Sequence, residues 1–166
     1  MSTAALITIA DYLGHTDKPN CEYIDGVLLP KAMPTTLHAF IQSAIMLLLG
    51  KQGVLALPEL TLHVGPTRFL VPDVAVVQRM EHPYPTTPAL LCVEILSPDD
   101  RPGAMLAKCE QYHDWGVPFC WVIDPETQEA WEYHRGGRPH SVERNGTLHA
   151  GELVIQLPEL FAEATS

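Results

Sequence analysis

The sequence has no apolar run long enough to cross a membrane. The longest such run, residues 37–49, is interrupted by His38, Gln42 and Ser43, whereas a membrane-spanning helix needs about 20 mostly apolar residues. The first residues also lack the basic region that opens a secretory signal, and Asp11 interrupts them early. We therefore expect no membrane segment, no signal peptide and a cytoplasmic location.

The cysteines show no CxxC spacing. Cys92, Cys109 and Cys120 lie in apolar segments, and Cys21 stands apart from them. Cysteines that hold a metal or form a small disulfide framework usually recur at short, regular intervals. The pattern therefore favours buried free thiols over disulfides or a zinc site.

Positive charge is scarce. Lys and Arg number 10 against 20 Asp and Glu, which gives a net charge of −10. This balance argues against a protein that coats nucleic acid through bulk charge. It leaves room for a local phosphate site, because a bound metal ion brings its own positive charge.

The sequence also lacks internal repeats, low-complexity tracts and long linkers. Its 166 residues are 46% hydrophobic and 18% charged, which is typical of a compact domain with an apolar core. We expect a single domain over residues 1–166.

The first half of the chain carries start and stop signals for helices and strands. Thr8 is suited to cap a short helix, and Asp25-Gly26 is a turn signal between two short strands. Residues 34–50 have apolar side chains at helical spacing, which predicts a main helix. Residues 54–64 alternate in their second half and are divided by Pro58, which predicts one strand with a bulge or break.

The second half combines one more helix with short strands. Asp99 and Asp100 precede that helix, and we expect them to cap it without a chemical role. Residues 119–124 form an apolar run typical of a buried strand, and residues 129–134 alternate. Later turns that contain Gly and Asn predict further hairpins.

Two carboxylates stand where apolar neighbours predict burial. Glu94 lies within the aliphatic run of residues 90–96, and Asp73 directly precedes the strand of residues 74–77. If these strands pair antiparallel about the loop of residues 78–88, Asp73 and Glu94 come almost level on neighbouring strands. A charged carboxylate left unpaired inside a strand costs roughly several kcal/mol, so Glu94 needs a cation, a proton or a metal.

The following helix is expected to bring Lys108 back to these carboxylates. From Glu94 the strand climbs about 13 Å to Pro98, and the helix returns about 9 Å between Pro102 and Lys108. Lys108 also lies on the helix stripe that should pack against the sheet. The three side chains are therefore predicted to meet.

Two carboxylates and one ammonium group suit a divalent metal. Mg²⁺ takes one or two carboxylates and keeps several waters, and a nearby lysine can orient an attacking water or neutralise phosphate charge. Other interpretations stay open. Asp73 could be an ordinary turn residue, Lys108 could extend to solvent, and a buried Glu94–Lys108 pair would satisfy both without metal. His38 is a candidate for contact with a phosphate or metal, although a lone histidine on an apolar helix is more often structural.

Six segments occur in a characteristic order: EYIDG, His38, VPDVAVV, VEILSPDDR, Lys108 followed by QY, and GVPFCWVIDP. In content and order they resemble the Uma2 family of the PD-(D/E)XK nuclease superfamily, over roughly residues 12–161. The resemblance implies an α/β (α+β) fold with a restriction-endonuclease-like core. In such a core a mixed, mostly antiparallel β-sheet is flanked by helices, here with C-terminal β-hairpins.

The resemblance also implies roles for individual residues. The implied metal ligands are Asp73, Glu94, the Ile95 backbone carbonyl and, as an outer candidate, Glu22. The superfamily lysine usually stands two residues after the glutamate, where this chain has Leu96, so Lys108 is implied to take over its role from the next helix. Gln111 and Tyr112 are implied to hold the substrate backbone.

The expected function is a Mg²⁺- or Mn²⁺-dependent DNA endonuclease that hydrolyses phosphodiester bonds with a metal-activated water. The alternative is a catalytically idle relative that keeps the nuclease fold as a binding or regulatory module, as a homodimer. A third, weaker candidate is a hydrolase of a small phosphorylated metabolite. Asp73, Glu94 and Lys108 together favour the enzyme, because an idle copy has no physical reason to retain all three.

Overall fold

The computed structural model describes residues 5–14, 21–162 and 164. Its helices are α1 (Ile9–Leu13), α2 (Thr36–Gly50), α3 (Pro102–Trp115) and α4 (Leu157–Phe161). Its strands are β1 (Cys21–Ile24), β2 (Val27–Pro30), β3 (Leu55–Pro58), β4 (Leu62–Gly65), β5 (Arg68–Leu70), β6 (Val74–Val77), β7 (Leu91–Ile95), β8 (Phe119–Asp124), β9 (Glu129–His134), β10 (His140–Val142), β11 (Thr147–Ala150) and β12 (Leu153–Gln156). The single domain expected over residues 1–166 extends beyond these described ranges and stays a prediction.

The central sheet has six strands in the order β10-β9-β8-β7-β6-β3. β7 and β8 pair parallel, with α3 as the crossover between them, and the other neighbours pair antiparallel. A four-stranded antiparallel sheet, β2-β1-β5-β4, and the hairpin β11-β12 complete the described strands. The sheet is mixed and mostly antiparallel, and the C-terminal part forms hairpins, as predicted.

Side chains of the central strands alternate between two cores. Val93 and Trp121 pack in the core that contains α2, whereas Cys92 and Val122 pack in the core that contains α3. This alternation follows from the two-residue period of a strand. Glu94 has the same parity as Cys92 in β7, so its side chain points toward α3.

Several local predictions are confirmed. The Thr8 side chain caps α1 and accepts a hydrogen bond from the Asp11 backbone. Asp25-Gly26 connects the antiparallel strands β1 and β2. α2 begins after Thr35, whose side chain accepts a hydrogen bond from the His38 backbone.

The three cysteines in apolar segments are buried, as the sequence predicts. Cys92, Cys109 and Cys120 are buried free thiols. Among the described helices, none is long and apolar enough to cross a membrane.

The prediction of one strand over residues 54–64 is wrong. This segment forms β3 and β4, which belong to different sheets. Between them Glu59 adopts a φ of 50°, a left-handed conformation that turns the chain out of the central sheet. The break predicted at Pro58 is therefore a change of sheet.

The predicted cap of α3 is also wrong. The N-cap residue is Arg101, and no side chain donates or accepts a capping hydrogen bond there. Asp100 instead accepts a 2.8 Å hydrogen bond from the Ser97 backbone and closes the loop before the helix. This local bond competes with helix capping for the same carboxylate.

Candidate active site

Asp73 and Glu94 lie beside each other at one end of the central sheet. The antiparallel register pairs Val74 with Val93, and continuing it by one residue places Asp73 opposite Glu94. Oδ2 of Asp73 accepts a 2.7 Å hydrogen bond from the Ile95 backbone N–H. Asp73 is 3% exposed and Glu94 2% exposed. The predicted strand pairing is thus confirmed, and it brings two buried carboxylates to neighbouring positions.

Helix α3 brings a largely buried cation to Glu94. Nζ of Lys108 lies 2.7 Å from Oε1 of Glu94 and 2.5 Å from Oε1 of Glu22. One helical turn later, the Tyr112 hydroxyl donates to the same Glu94 oxygen at 2.6 Å. Lys108 therefore does not extend to solvent, and Oε1 of Glu94 accepts from two donors.

Glu22 enters the site from β1. Its Oε1 accepts a 2.8 Å hydrogen bond from the Val71 backbone N–H as well as contacting Lys108. The residue is 8% exposed. Glu22 therefore belongs to the buried charge network and is not a surface residue of the first hairpin.

A second lysine, which the sequence did not single out, lies on the Asp73 side. Nζ of Lys31 is 3.0 Å from Oδ1 of Asp73, 2.9 Å from Oε2 of Glu59 and 2.8 Å from the Val71 carbonyl oxygen. These contacts match the three N–H donors of an ammonium group. Lys31 comes directly after β2, so the four-stranded sheet carries it to the central sheet.

Glu59 and Gln42 extend the hydrogen-bond network beyond Lys31 and Asp73. Nε2 of Gln42 donates to Oε1 of Glu59 at 3.0 Å and to the Asp73 carbonyl at 2.7 Å. Gln42 lies on α2 and Glu59 in the turn between β3 and β4. One amide therefore ties helix α2 to the backbone of Asp73.

His38 also contacts Asp73. Its Nε2 lies 3.3 Å from Oδ1 of Asp73, and the residue is 5% exposed. Its Nδ1 is buried and has no hydrogen-bond partner within the described part of the chain. His38 lies in the first turn of α2, where the Thr35 cap fixes the backbone, so the histidine predicted near the site is there.

Most of these side chains line one cavity of about 110 Å³. The acidic residues around it are Glu22, Asp73, Glu94 and Asp100, and the lysines are Lys31 and Lys108. Carboxylates outnumber ammonium groups in this lining, and water-sized space remains between them. The cavity is therefore suited to a small cation or a polar ligand.

The two central carboxylates have opposite pKa shifts. Burial alone would raise the pKa of Asp73, but the His38 hydrogen bond and the Lys31 ammonium outweigh it and lower the pKa to about 2. Burial raises the pKa of Glu94 to about 7 against the opposing Lys108 ammonium, and the Asp73 charge adds to the rise. Asp73 is thus ionised while Glu94 titrates near neutral pH, a separation typical of functional carboxylate pairs.

The two lysines of the site remain charged, and the environment of His38 favours its charged form. Burial would lower the pKa of Lys108, but Glu94 and Glu22 outweigh burial and raise it. The pKa of Lys31 is likewise raised, because Asp73, Glu94 and Glu59 outweigh burial. In His38 the hydrogen bond to Asp73 outweighs burial and raises the pKa. Positive charge therefore persists on both sides of the carboxylates.

The implied substrate contacts are placed differently from the expectation. Tyr112 is fully buried and its hydroxyl is engaged by Glu94, so it positions the carboxylate and does not face the cavity. Gln111 does not line the cavity either. Its buried Oε1 has no hydrogen-bond partner among the residues that the structure describes.

Sequence reasoning missed Lys31, Glu59 and Gln42. Lys31 follows Pro30, and Glu59 follows Pro58, so both read as ordinary polar residues at strand ends. Gln42 is a polar interruption in an apolar helix, a signal that could have suggested a buried partner. The positions of all three depend on how the sheets pack, which local sequence patterns do not encode.

The carboxylate oxygens of the site suit a divalent cation that keeps most of its own waters. No group of three or more His, Cys, Asp or Glu is arranged to hold a metal ion among residues 5–14, 21–162 and 164. Oδ2 of Asp73 accepts one hydrogen bond, and Oε2 of Glu94 accepts none from the described residues. Two hard oxygen atoms with free lone pairs match Mg²⁺ or Mn²⁺, since Mg²⁺ keeps several waters and binds through one or two carboxylates.

Comparisons with known proteins give matches over nearly the whole chain. Residues 9–165 match a family described as "Uma2: Putative restriction endonuclease". The chain also resembles a crystal structure of "a putative nuclease belonging to DUF820" from Anabaena variabilis, with 26% identity, a TM-score of 0.76, and coverage of 94% of this chain and 98% of that one. No curated protein matches. The likeness over nearly the whole of both chains confirms the predicted restriction-endonuclease-like fold.

Proposed function

The chain belongs to the Uma2 family, and we propose that it is a divalent-metal-dependent endonuclease that hydrolyses phosphodiester bonds in DNA. One observation carries the proposal: Asp73, Glu94 and Lys108 meet at one cavity at the end of the central sheet. The family description and the nuclease relative support nucleic acid as the substrate. The choice of DNA rests on the words "restriction endonuclease" in that description.

Asp73 and Glu94 are the residues that would hold Mg²⁺ or Mn²⁺, together with the Ile95 carbonyl and, as an outer candidate, Glu22. A bound divalent ion supplies a water of lowered pKa and positive charge for the reacting phosphate. The opposite pKa shifts of the two carboxylates support this assignment, because Asp73 offers a permanent negative charge and Glu94 loses its proton near neutral pH.

The remaining residues position these groups and supply charge. Lys108 holds Glu22 and Glu94 together, and its ammonium lines the cavity where a phosphate oxygen would gain negative charge. Tyr112 fixes the orientation of Glu94. His38 contacts Asp73 and, as a lining residue, is a candidate for phosphate contact.

The direct test is nicking of supercoiled plasmid DNA with Mg²⁺ or Mn²⁺. We expect wild type to nick, EDTA to stop the reaction, and Glu94→Gln to reduce the rate by about a hundredfold or more, because a metal ligand is lost. Glu132→Gln is the matched control, since Glu132 is also a buried glutamate but lies on β9 and does not line the cavity. Nicking that persists in EDTA, or is equal in wild type and Glu94→Gln, contradicts the proposal.

A second candidate, the catalytically idle binding module, is favoured by the ion pairs themselves. Lys31 and Lys108 partner the carboxylates without any metal, as expected of a purely structural network. Failure of wild type to nick plasmid DNA under any divalent ion would favour this candidate. Turnover of a small phosphodiester without nicking would favour the metabolite hydrolase.

A further inference from the structure

Three oxygen atoms on the Asp73 side of the cavity hold the Lys31 ammonium. The ammonium contacts Oδ1 of Asp73, Oε2 of Glu59 and the Val71 carbonyl, and the lysine side chain is 15% exposed. Since an ammonium has three donors and three oxygens accept them, Lys31 is fully coordinated. It differs from Lys108, which serves Glu94 and Glu22 on the other side of the cavity.

The surrounding chain is shaped to hold this lysine. Glu59, which is not a glycine, has a φ of 50°, a conformation that costs roughly 1 kcal/mol or more in such residues. That turn places the Glu59 carboxylate on Lys31, and Gln42 braces the same carboxylate from α2. A strained turn supported by a second element indicates that the position of the Lys31 ammonium is specified by the fold.

The position of Lys31 bears directly on any cation at Asp73. Oδ1 of Asp73 already contacts two cationic side chains, Lys31 and His38. A divalent ion at Oδ2 would share the Asp73 carboxylate with an ammonium that lies 3.0 Å from its other oxygen, Oδ1. Two positive charges on one buried carboxylate repel each other.

We propose that Lys31 is an internal counter-ion that competes with the divalent metal for Asp73 and thereby sets the metal affinity of the site. The inference rests on the proposed function, since it requires that Asp73 and Glu94 bind a divalent ion. In the metal-free protein Lys31 satisfies Asp73 and Glu59. When a cation binds, Lys31 shares Asp73 with it and weakens its binding, so Lys31 is a positioning residue that determines cation affinity.

The test is calorimetric titration of Mn²⁺ into wild type, Lys31→Met and the control Lys51→Met. Methionine keeps the length and apolar stem of lysine without its charge, and Lys51 is exposed at the end of α2. We expect Lys31→Met to bind Mn²⁺ about tenfold more tightly than wild type, because one positive charge beside the ligand is removed. Lys51→Met should bind like wild type.

A purely structural role for Lys31 predicts no gain in Mn²⁺ affinity for Lys31→Met. If the lysine only holds the fold, its removal disorders the carboxylates and Mn²⁺ binding weakens or stays the same. Equal or weaker binding by a folded Lys31→Met overturns the inference and leaves the proposed function standing. Absence of Mn²⁺ binding in both wild type and Lys31→Met overturns the inference and the metal dependence together.

A second variant covers the case in which Lys31→Met does not fold without metal. The double variant Lys31→Met, Glu59→Gln removes one charge of each sign and leaves only Asp73 to be satisfied. We expect it to bind Mn²⁺ more tightly than the single variant Glu59→Gln. If Lys31→Met is unfolded without metal, millimolar Mn²⁺ should restore its circular dichroism, because the ion replaces the ammonium. Failure of both expectations contradicts the proposal.

Discussion

The Tyr112 hydroxyl donates a 2.6 Å hydrogen bond to Oε1 of Glu94, and the tyrosine is fully buried. Lys108 contacts the same oxygen from one turn earlier on α3. Helix α3 therefore holds Glu94 by two donors and leaves its other carboxylate oxygen facing no donor among the described residues. The orientation of the candidate metal ligand is thus set by the helix that directly follows its strand.

We expect Tyr112→Phe to lower the free energy of unfolding by about 1.5 kcal/mol, because a buried hydrogen bond to a charged group is lost. Plasmid nicking should fall as well, since Glu94 loses one of its two positioning donors. Tyr133→Phe is the matched control, because the Tyr133 hydroxyl donates to the exposed Glu110 at 3.2 Å. Removal of this exposed hydrogen bond should lower the free energy of unfolding by less than about 0.5 kcal/mol. Urea denaturation measures both values, and equal losses in the two variants would refute the assigned role.

We expect Lys108→Met to destabilise the protein by about 3 kcal/mol, because Glu22 and Glu94 lose a shared buried partner. The double variant Lys108→Met, Glu94→Gln should regain part of that stability, since one uncompensated charge is then absent. Lys51→Met, at an exposed site, should change stability by less than about 0.5 kcal/mol. Additive losses in the double variant would show that Lys108 and Glu94 do not interact.

Stability should fall with rising pH more steeply in wild type than in Glu94→Gln. The folded-state pKa of Glu94 is raised by burial to about 7, whereas an unfolded glutamate has a pKa of about 4.3. Between these values the folded state holds a proton that the unfolded state has released, so the free energy of unfolding decreases as pH rises. The variant lacks this contribution.

The measurement is urea denaturation of both proteins in EDTA at pH 5 and pH 8. His38, with a raised pKa, adds a decrease of the same sign, but it is present in both proteins and cancels in the comparison. Equal pH dependence in wild type and Glu94→Gln would show that Glu94 is ionised throughout this range.

The convergence of Asp73 and Glu94 could be predicted because it follows from local rules. Two strands that pair about one loop fix their own register, and that register places the two carboxylates opposite each other. The return of Lys108 followed from strand and helix rise in the same way. The convergence of these three side chains could therefore be predicted from the sequence.

The Asp73 side of the site could not be predicted from sequence. Lys31 reaches Asp73 because the four-stranded sheet packs at the end of the central sheet, and Glu59 reaches Lys31 because the chain leaves the central sheet at a left-handed turn. Both contacts join segments that are far apart in the sequence, and no local sequence pattern predicts that they meet. The substrate role of Tyr112 is implied by the resemblance alone, whereas the structure buries the tyrosine and directs its hydroxyl to Glu94.

The most direct test of the central claim is calorimetric titration of Mn²⁺ into wild type and Asp73→Asn. We expect wild type to bind Mn²⁺ and Asp73→Asn to bind it at least about tenfold more weakly, because a neutral amide replaces a carboxylate ligand. Circular dichroism of both samples confirms that they are folded. Absence of binding in wild type, or equal affinity in the two folded proteins, would contradict the claim that Asp73 and Glu94 form a divalent-metal site.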